Sequence, residues 1–168
     1  MPPARIGNTE LISGPGPIGL LCLKLVLAER AKTIVAGAAG DRTRLDCARR
    51  IGAVRLVNVQ EERLIDAVQE ETGGEGGHVA LEHAGHPDSV RGCLEALRPM
   101  GCYTQITICG RGISLPIDLI FYKQLTLSGS VYRTSGTGDG MMEMFAQGEV
   151  RLGDLVSAKL PLSEARRV

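Results

Sequence analysis

Two hydrophobic periods alternate along the chain. Short runs rich in apolar and β-branched residues predict strands at Thr9–Ser13, 33–37, 55–59, 78–83 and 101–108, with a last one running from Leu125 to Val131. Between them, apolar residues recur at helical spacing. Ile18, Leu20, Leu21, Leu23, Leu25, Val26 and Leu27 make a first helix that is apolar almost all round, which suits a helix buried against a sheet. Asp41 predicts the cap of a second helix, whose Leu45, Ala48 and Ile51 share one face and which Gly52 follows. Glu61 and Glu62 favour the positive end of a third helix, which carries Leu64, Ala67 and Val68 and stops at Gly73-Gly74. Pro87 predicts the first residue of a fourth, with Val90, Cys93, Leu94 and Leu97 in one stripe before Pro99. Asp139 opens a last helix with Met141, Met144 and Phe145 inward and Gly148 at its close. The stretch 109–124, with Gly110, Gly112 and Pro116, reads as a longer loop holding a helical turn near 118–122.

Strand–helix alternation with short connections predicts an α/β fold. The sheet is expected to be parallel, covered by helices on both faces, right-handed and doubly wound. With 168 residues and no linker, internal repeat or low-complexity segment, residues 1–168 are expected to form a single domain.

Charge removes several function classes. Lys and Arg number 19 against 19 Asp and Glu, so no electrostatic footprint for nucleic acid or an anionic membrane is present. Three Tyr, two Phe and no Trp leave little for a base-stacking surface. The longest apolar run, from Ile18 to Leu27, is broken by Lys24 and falls far short of the ~20 residues a membrane span requires. Met1-Pro2-Pro3-Ala4-Arg5 lacks the apolar core of a secretory signal. Five cysteines (Cys22, Cys47, Cys93, Cys102, Cys109) form an odd set without a C-x-x-C pair, as expected of reduced thiols in a cytoplasmic protein.

Candidate chemistry begins at Gly14-Pro15-Gly16-Pro17-Ile18-Gly19, a G-x-G-x-x-G. In a chain this rich in glycine the pattern arises by chance about 0.4 times, so its setting decides. An apolar strand runs into it and a helix runs out of it. Gly14 would make the tight turn, Gly16 would let backbone approach a pyrophosphate, and Gly19 would let helix and strand pack closely. The phosphates would rest on free N–H groups at the helix N-terminus, around Pro17 and Ile18, where a proline removes no needed donor. The competing reading is a purely structural turn.

Dinucleotide folds place an acid at the end of the second strand, where it binds the adenosine ribose 2′-hydroxyl. Here the strand ends on Gly37, small residues follow, and then come Asp41, Arg42, Thr43 and Arg44. Losing a carboxylate and gaining guanidiniums favours a 2′-phosphate, hence NADP over NAD. The plainer alternative makes Arg42 and Arg44 solvated first-turn residues.

Taken in order, the segments 13–21 (SGPGPIGLL), 44–53 (RLDCARRIGA), 82–87 (EHAGHP), 97–101 (LRPMG), 123–131 (KQLTLSGSV) and 159–164 (KLPLSE) resemble one family. It is the medium-chain dehydrogenase/reductases, and the likeness is to the C-terminal coenzyme-binding domain of the zinc-dependent alcohol and polyol branch that includes sorbitol and threonine dehydrogenases. The resemblance runs from Gly7 to about Ala165. It implies a six-stranded Rossmann sheet, NAD or NADP as cofactor, and hydride transfer between an alcohol and nicotinamide. By position it sets Ala84, Gly85, Ile106, Thr107 and Ile108 beside the nicotinamide half, and Arg44 near the adenosine ribose. It also implies a homodimer paired through the edge strand between Leu125 and Val131.

Nothing in the chain matches the family's N-terminal domain, which holds the zinc ligands and most of the substrate pocket. The expectation is therefore a coenzyme half with no catalytic residue or metal ligand of its own, inactive alone, with zinc confined to the missing domain. The alternative is a stand-alone or truncated dinucleotide-binding or interaction module without catalysis.

Other chemistry is poorly supported. Glu82, His83 and His86 lack a fourth ligand at metal spacing, and cleft-lining histidines are the better reading. His78 reads as a solvated strand start. Ser13 and Ser135 have no His/Asp partner arrangement. Tyr122-Lys123 and Tyr132-Arg133 lack the Tyr-x-x-x-Lys spacing of short-chain dehydrogenases.

Overall fold

The computed structural model describes residues 7–131 and 135–167. Met1–Arg5 and the Tyr132-Arg133 pair lie outside them, as does the side chain of Ser135. The elements run β1 (Thr9–Ser13), α1 (Pro17–Ala28), β2 (Lys32–Gly37), α2 (Arg42–Ile51), β3 (Arg55–Asn58), α3 (Leu64–Thr72), β4 (Gly77–Glu82), α4 (Pro87–Ala96), β5 (Leu97–Gln105), α5 (Ile117–Lys123), β6 (Thr126–Gly129) and α6 (Ser135–Ala146). Six parallel strands lie in the order β3-β2-β1-β4-β5-β6, the doubly wound Rossmann arrangement.

Alternation along each strand divides the core. Leu11, Ile34, Ala36, Val57 and Ala80 face α3 and α4, meeting Leu64, Val68, Val90 and Leu94. Ile12, Val35, Val79 and Leu81 face the other way and meet Leu20, Leu23 and Val26 of α1 and Leu45 and Ala48 of α2. Each such large side chain contributes roughly 1.5–3 kcal/mol when taken out of water. The outer side of α1, apolar in sequence, is partly covered: Leu155 packs on this layer, and Lys24 reaches Asp154 at 2.7 Å.

Helix ends follow their punctuation. Gly52 and Gly73 close α2 and α3 with positive φ, and Pro87 opens α4. Lys123 Nζ donates to the Glu95 and Leu97 carbonyls at 2.7 and 2.6 Å, tying α5 to the end of α4. Several boundaries differ from the expectation: α3 starts only at Leu64, past Glu61 and Glu62, and β5 ends at Gln105, ahead of 108. Leu97 is buried as expected but opens β5, because Pro99 can give no N–H and biases the residue before it toward extended backbone. The last helix begins at Ser135, ahead of Asp139, with Met141, Met144 and Phe145 half-buried.

Candidate functional site

The C-terminal ends of β1, β4 and β5 meet at the turn into α1. Gly14 holds φ +98°, and its N–H donates to the Ala36 carbonyl at 2.8 Å. A Cβ on Gly14 would lie 2.7 Å from Ala84 N and 2.8 Å from His83 C, so only glycine lets the β4 turn close over it. A Cβ on Gly19 would lie 2.1 Å from the Gly14 carbonyl oxygen, where the helix crosses its own entry turn. Gly16 is different: nothing stands within 4 Å of where its Cβ would be. It is the N-cap of α1, with Pro17 next, no side chain capping the first turn and no acid there. Ile18 is more than half exposed. An open glycine at an uncapped N-terminus is where an anion can approach backbone N–H groups closely.

The β4 end is organised by Glu82, whose carboxylate is fully buried. It accepts from Ala84 N and Gly85 N at 2.9 Å, from Ser89 Oγ at 2.7 Å and from Gln105 Nε2 at 2.8 Å. Ser89 Oγ in turn lies 2.7 Å from Ser13 Oγ, and Gln105 accepts from the Tyr103 hydroxyl. The Glu82 carbonyl receives Ile106 N and Thr107 N, and Thr107 Oγ1 donates to His83 O at 2.8 Å. One buried carboxylate thereby ties β1, the Ala84-Gly85 turn and the 105–107 segment together. Removing one donor from such a network leaves part of a buried carboxyl group unsatisfied, at a typical cost of about 1–3 kcal/mol. The sequence reading met Glu82 only as a metal candidate. The signal that could have found its role was an acid closing an apolar strand just before a small-residue turn.

The predicted nicotinamide-side residues therefore gather beside the glycine turn. Gly85 has φ +67°, and a Cβ on it would touch Thr107 Cγ2 at 2.7 Å. Ile106 packs against the α1 layer, whereas Ile108 is largely exposed. Thr107 and Ile108 also line an open pocket of about 570 Å³ with Tyr103, Gln105, Cys109 and Arg111.

The three residues of the metal decoy have separate tasks. Glu82 is committed as above, and His86 caps α4 by accepting Asp88 N at 3.3 Å. His83 follows β4 beside Gly14, and both its ring nitrogens are buried with no hydrogen-bond partner. Burial pulls its pKa down to about 4, so the ring is neutral at pH 7. Among the described residues, no group of three or more His, Cys, Asp or Glu is placed to hold a metal ion. His78 is not a solvated strand start: it is partly buried, and its Nδ1 accepts Thr9 N at 3.2 Å, joining β4 to β1.

At the end of β2 stand Gly37, Asp41, Arg42 and Arg44. Asp41 occupies the N-cap position of α2, yet its carboxylate takes no helical N–H, unlike the cap expected. Its Oδ2 instead accepts Ala38 N at 3.2 Å, and Arg44 donates to its Oδ1 at 3.0 Å. Arg42 and Arg44 are exposed. The segment between Gly37 and α2 is pinned by Ala39 N donating to Gln60 Oε1 at 2.9 Å.

Among the described residues no helix is long and apolar enough to cross a membrane. Comparison with known proteins agrees with the fold. Residues 17–147 match the family model described as zinc-binding dehydrogenase. The chain is 30% identical over 165 residues to a probable D-xylulose reductase A of Aspergillus clavatus, covering 96% of this chain and 46% of that protein. It is 26% identical to a sorbitol dehydrogenase of Halalkalibacterium halodurans, over 94% of this chain and 46% of the relative. Among solved structures, the alcohol dehydrogenase TADH of Thermus sp. ATN1 superposes with a TM-score of 0.90 at 26% identity, covering 98% of this chain and 47% of that one. The chain spans just under half the length of these relatives.

Proposed function

Because this chain belongs to the zinc-binding dehydrogenase family and matches its coenzyme-binding domain, we propose that it is the dinucleotide-holding half of an NAD(P)-dependent alcohol or polyol dehydrogenase. One observation carries the reading. The β1–α1 turn tolerates no Cβ at Gly14 or Gly19 but leaves Gly16 open beside an uncapped helix N-terminus. That cradle fits a diphosphate, held by the N–H groups of Gly16, Ile18 and Gly19 with Pro17 fixing the turn. Ala84, Gly85, Ile106, Thr107 and Ile108 would border the nicotinamide half, and Gly37, Arg42 and Arg44 the adenosine ribose. When bound, nicotinamide supplies a hydride acceptor at C4. The chain's own residues would set where that ring lies: Glu82 holds the Ala84-Gly85 turn and the 105–107 segment in register.

The described residues do not fit a zinc site. We assign alcohol activation and the zinc to a catalytic domain of the kind these relatives carry, and expect no alcohol-dependent turnover from these 168 residues alone. Exposed Arg42 supports a 2′-phosphate and hence NADP, while the placement of Asp41 opposes it. Five free thiols support a reducing compartment such as the cytoplasm.

Calorimetric titration of the purified chain with NAD and with NADP tests the reading. At least one is expected to bind with a Kd below about 1 mM, a free energy of roughly 4 kcal/mol. No detectable binding of either would overturn it.

A homodimer is part of the same proposal. Among the described residues β6 pairs only with β5, and all of Thr126–Gly129 is exposed, leaving a row of unpaired backbone groups. Light scattering at tens of micromolar chain is expected to give twice the 17.9 kDa monomer mass; a monomer there would count against edge pairing.

A further inference from the structure

We propose that the open pocket beside β5 and β6 is a ligand site of its own, suited to a small molecule with an apolar body and one acidic group. The proposal goes beyond the dinucleotide reading and does not depend on it. The pocket encloses about 570 Å³, within the roughly 300–1,000 Å³ common for small-molecule sites. Its position separates it from the phosphate cradle. Val90 of α4 and Tyr103 of β5 stand on its wall, and both belong to the α3–α4 layer of the core. The cradle opens at the start of α1, which packs on the opposite face of the sheet. Leu127 of β6 is the register partner of Tyr103 and shares that wall. Pairing of β6 through its outer backbone edge would therefore leave the pocket open.

The lining decides what fits. Ile113 and Leu115, from the connection after β5, join Val90, Ile108 and Leu127 to make most of the surface apolar. The polar side chains among them are committed within the fold. The Tyr103 hydroxyl donates to Gln105 Oε1, and Gln105 Nε2 donates to Glu82 Oε2 at 2.8 Å and to the Thr107 carbonyl at 2.6 Å. Thr107 Oγ1 donates to the His83 carbonyl at 2.8 Å, and Ser128 Oγ lies 3.0 Å from Thr104 Oγ1. A polyol would have to bury its hydroxyls against groups already engaged, which is unfavourable. An apolar body meets no such penalty and gains by leaving water.

One charge faces this lining. Arg111, carried between Gly110 and Gly112, is exposed at the pocket. No Asp or Glu lines the pocket, and among the described residues no carboxylate pairs with the guanidinium. Glu82, behind Gln105, is fully buried and already held by several donors. A free guanidinium beside an apolar pocket offers two parallel donors to a carboxylate or a comparable acid. Two sources share that chemistry: the acid-bearing end of an alcohol substrate, and an effector unrelated to the reaction.

Amide-resolved NMR titration of the chain with 4-phenylbutyrate, its neutral counterpart 4-phenylbutan-1-ol, and sorbitol tests the site. Phenylbutyrate is expected to shift amides at 105–115 and 127–129 and to bind at least about threefold more tightly than phenylbutanol. Sorbitol should shift none of them. Arg111→Gln changes an exposed loop residue and should abolish the preference for the acid while leaving phenylbutanol binding as it was. No shift at these amides, equal shifts from sorbitol, or an unchanged preference in Arg111→Gln overturns the proposal. Repeating the titration with saturating NAD separates the sources: tighter binding marks the substrate's own acidic end, and unchanged affinity marks an effector, the site standing in both cases. Displacement by NAD would put the probe in the dinucleotide cleft and overturn the site. Failure of NAD itself to bind would defeat the dinucleotide reading and leave this pocket's result intact.

Discussion

Gly19→Ala is expected to unfold at markedly lower temperature than the unaltered chain and to lose dinucleotide binding. The added methyl would sit 2.1 Å from the Gly14 carbonyl oxygen, a backbone atom with no rotamer to yield. Gly14 cannot retreat either, because the Ala84-Gly85 turn packs on it and its N–H is held by the Ala36 carbonyl at 2.8 Å. The start of α1 must therefore lift away from β1, loosening the layer in which Leu20 and Leu23 are buried. Overpacking of this kind costs about 1–3 kcal/mol, and a clash with rigid backbone belongs at the upper end. Gly16→Ala is the control that separates fold from site. Its φ of −66° suits any residue and its Cβ would meet nothing within 4 Å, so stability is expected to stay within about 0.5 kcal/mol. Dinucleotide affinity should nonetheless fall at least roughly tenfold, since the methyl would occupy the approach of the phosphates. Thermal melts and calorimetry of both variants decide the matter. A Gly19→Ala melt equal to the parent's would show that the turn relaxes cheaply, and full affinity in Gly16→Ala would remove the cradle from the site.

Glu10→Val is expected to stabilise the chain near pH 8 and to leave it little changed or weaker near pH 4. Glu10 lies inside β1, 2% exposed, with Oε1 lacking any partner. Its neighbour across the β1–β2 register is Thr33, whose hydroxyl is equally buried and equally unpartnered. Burial, with a smaller contribution from Glu29, raises its pKa to about 7. The folded state therefore binds this proton more tightly than the unfolded state, whose carboxyl titrates near the ordinary value of 4.5. The associated stability is complete below about pH 4.5, falls as pH rises, and is gone once pH passes about 7. The full swing is roughly 3 kcal/mol at 1.36 kcal/mol per pH unit. Urea unfolding of both proteins at pH 5 and pH 8 measures it. The parent should lose stability relative to Glu10→Val between the two; parallel behaviour would show that Glu10 ionises in the fold without penalty.

Glu10 also shows where sequence reading stops. In the pattern it was one polar residue in an apolar run, with nothing to say that its side chain is buried beside a threonine from the next strand. The element order was legible throughout, because hydrophobic period, glycine and proline act within a few residues of where they stand. Gly52, Gly73 and Pro87 mark helix ends for local backbone reasons, and the strands fell within a few residues of their expected places. The boundary at Leu97 slipped because a buried leucine satisfies a helical stripe and a strand equally well.

The site was legible as a list and less so as an arrangement. Gly14, Gly16 and Gly19 were singled out from their spacing between a strand and a helix, and Ala84, Gly85 and Ile106 to Ile108 from resemblance. That Glu82 ties these groups together was hidden, because Ser89 and Gln105 reach it from α4 and β5, and Ser13 of β1 joins through Ser89. The same holds for Asp41, which sequence places in a helix cap and the fold returns to the end of β2.

The sequence by itself determined the alternation of strands and helices, the doubly wound order and the glycine turn between β1 and α1, since each depends on local periodicity and local backbone freedom. Only the tertiary structure decided which acid returns to the end of β2, which carboxylate organises the strand ends and which one lies in the core with an unpartnered oxygen. Those outcomes depend on close approach between residues far apart in the chain, and no pattern along one dimension records such distances.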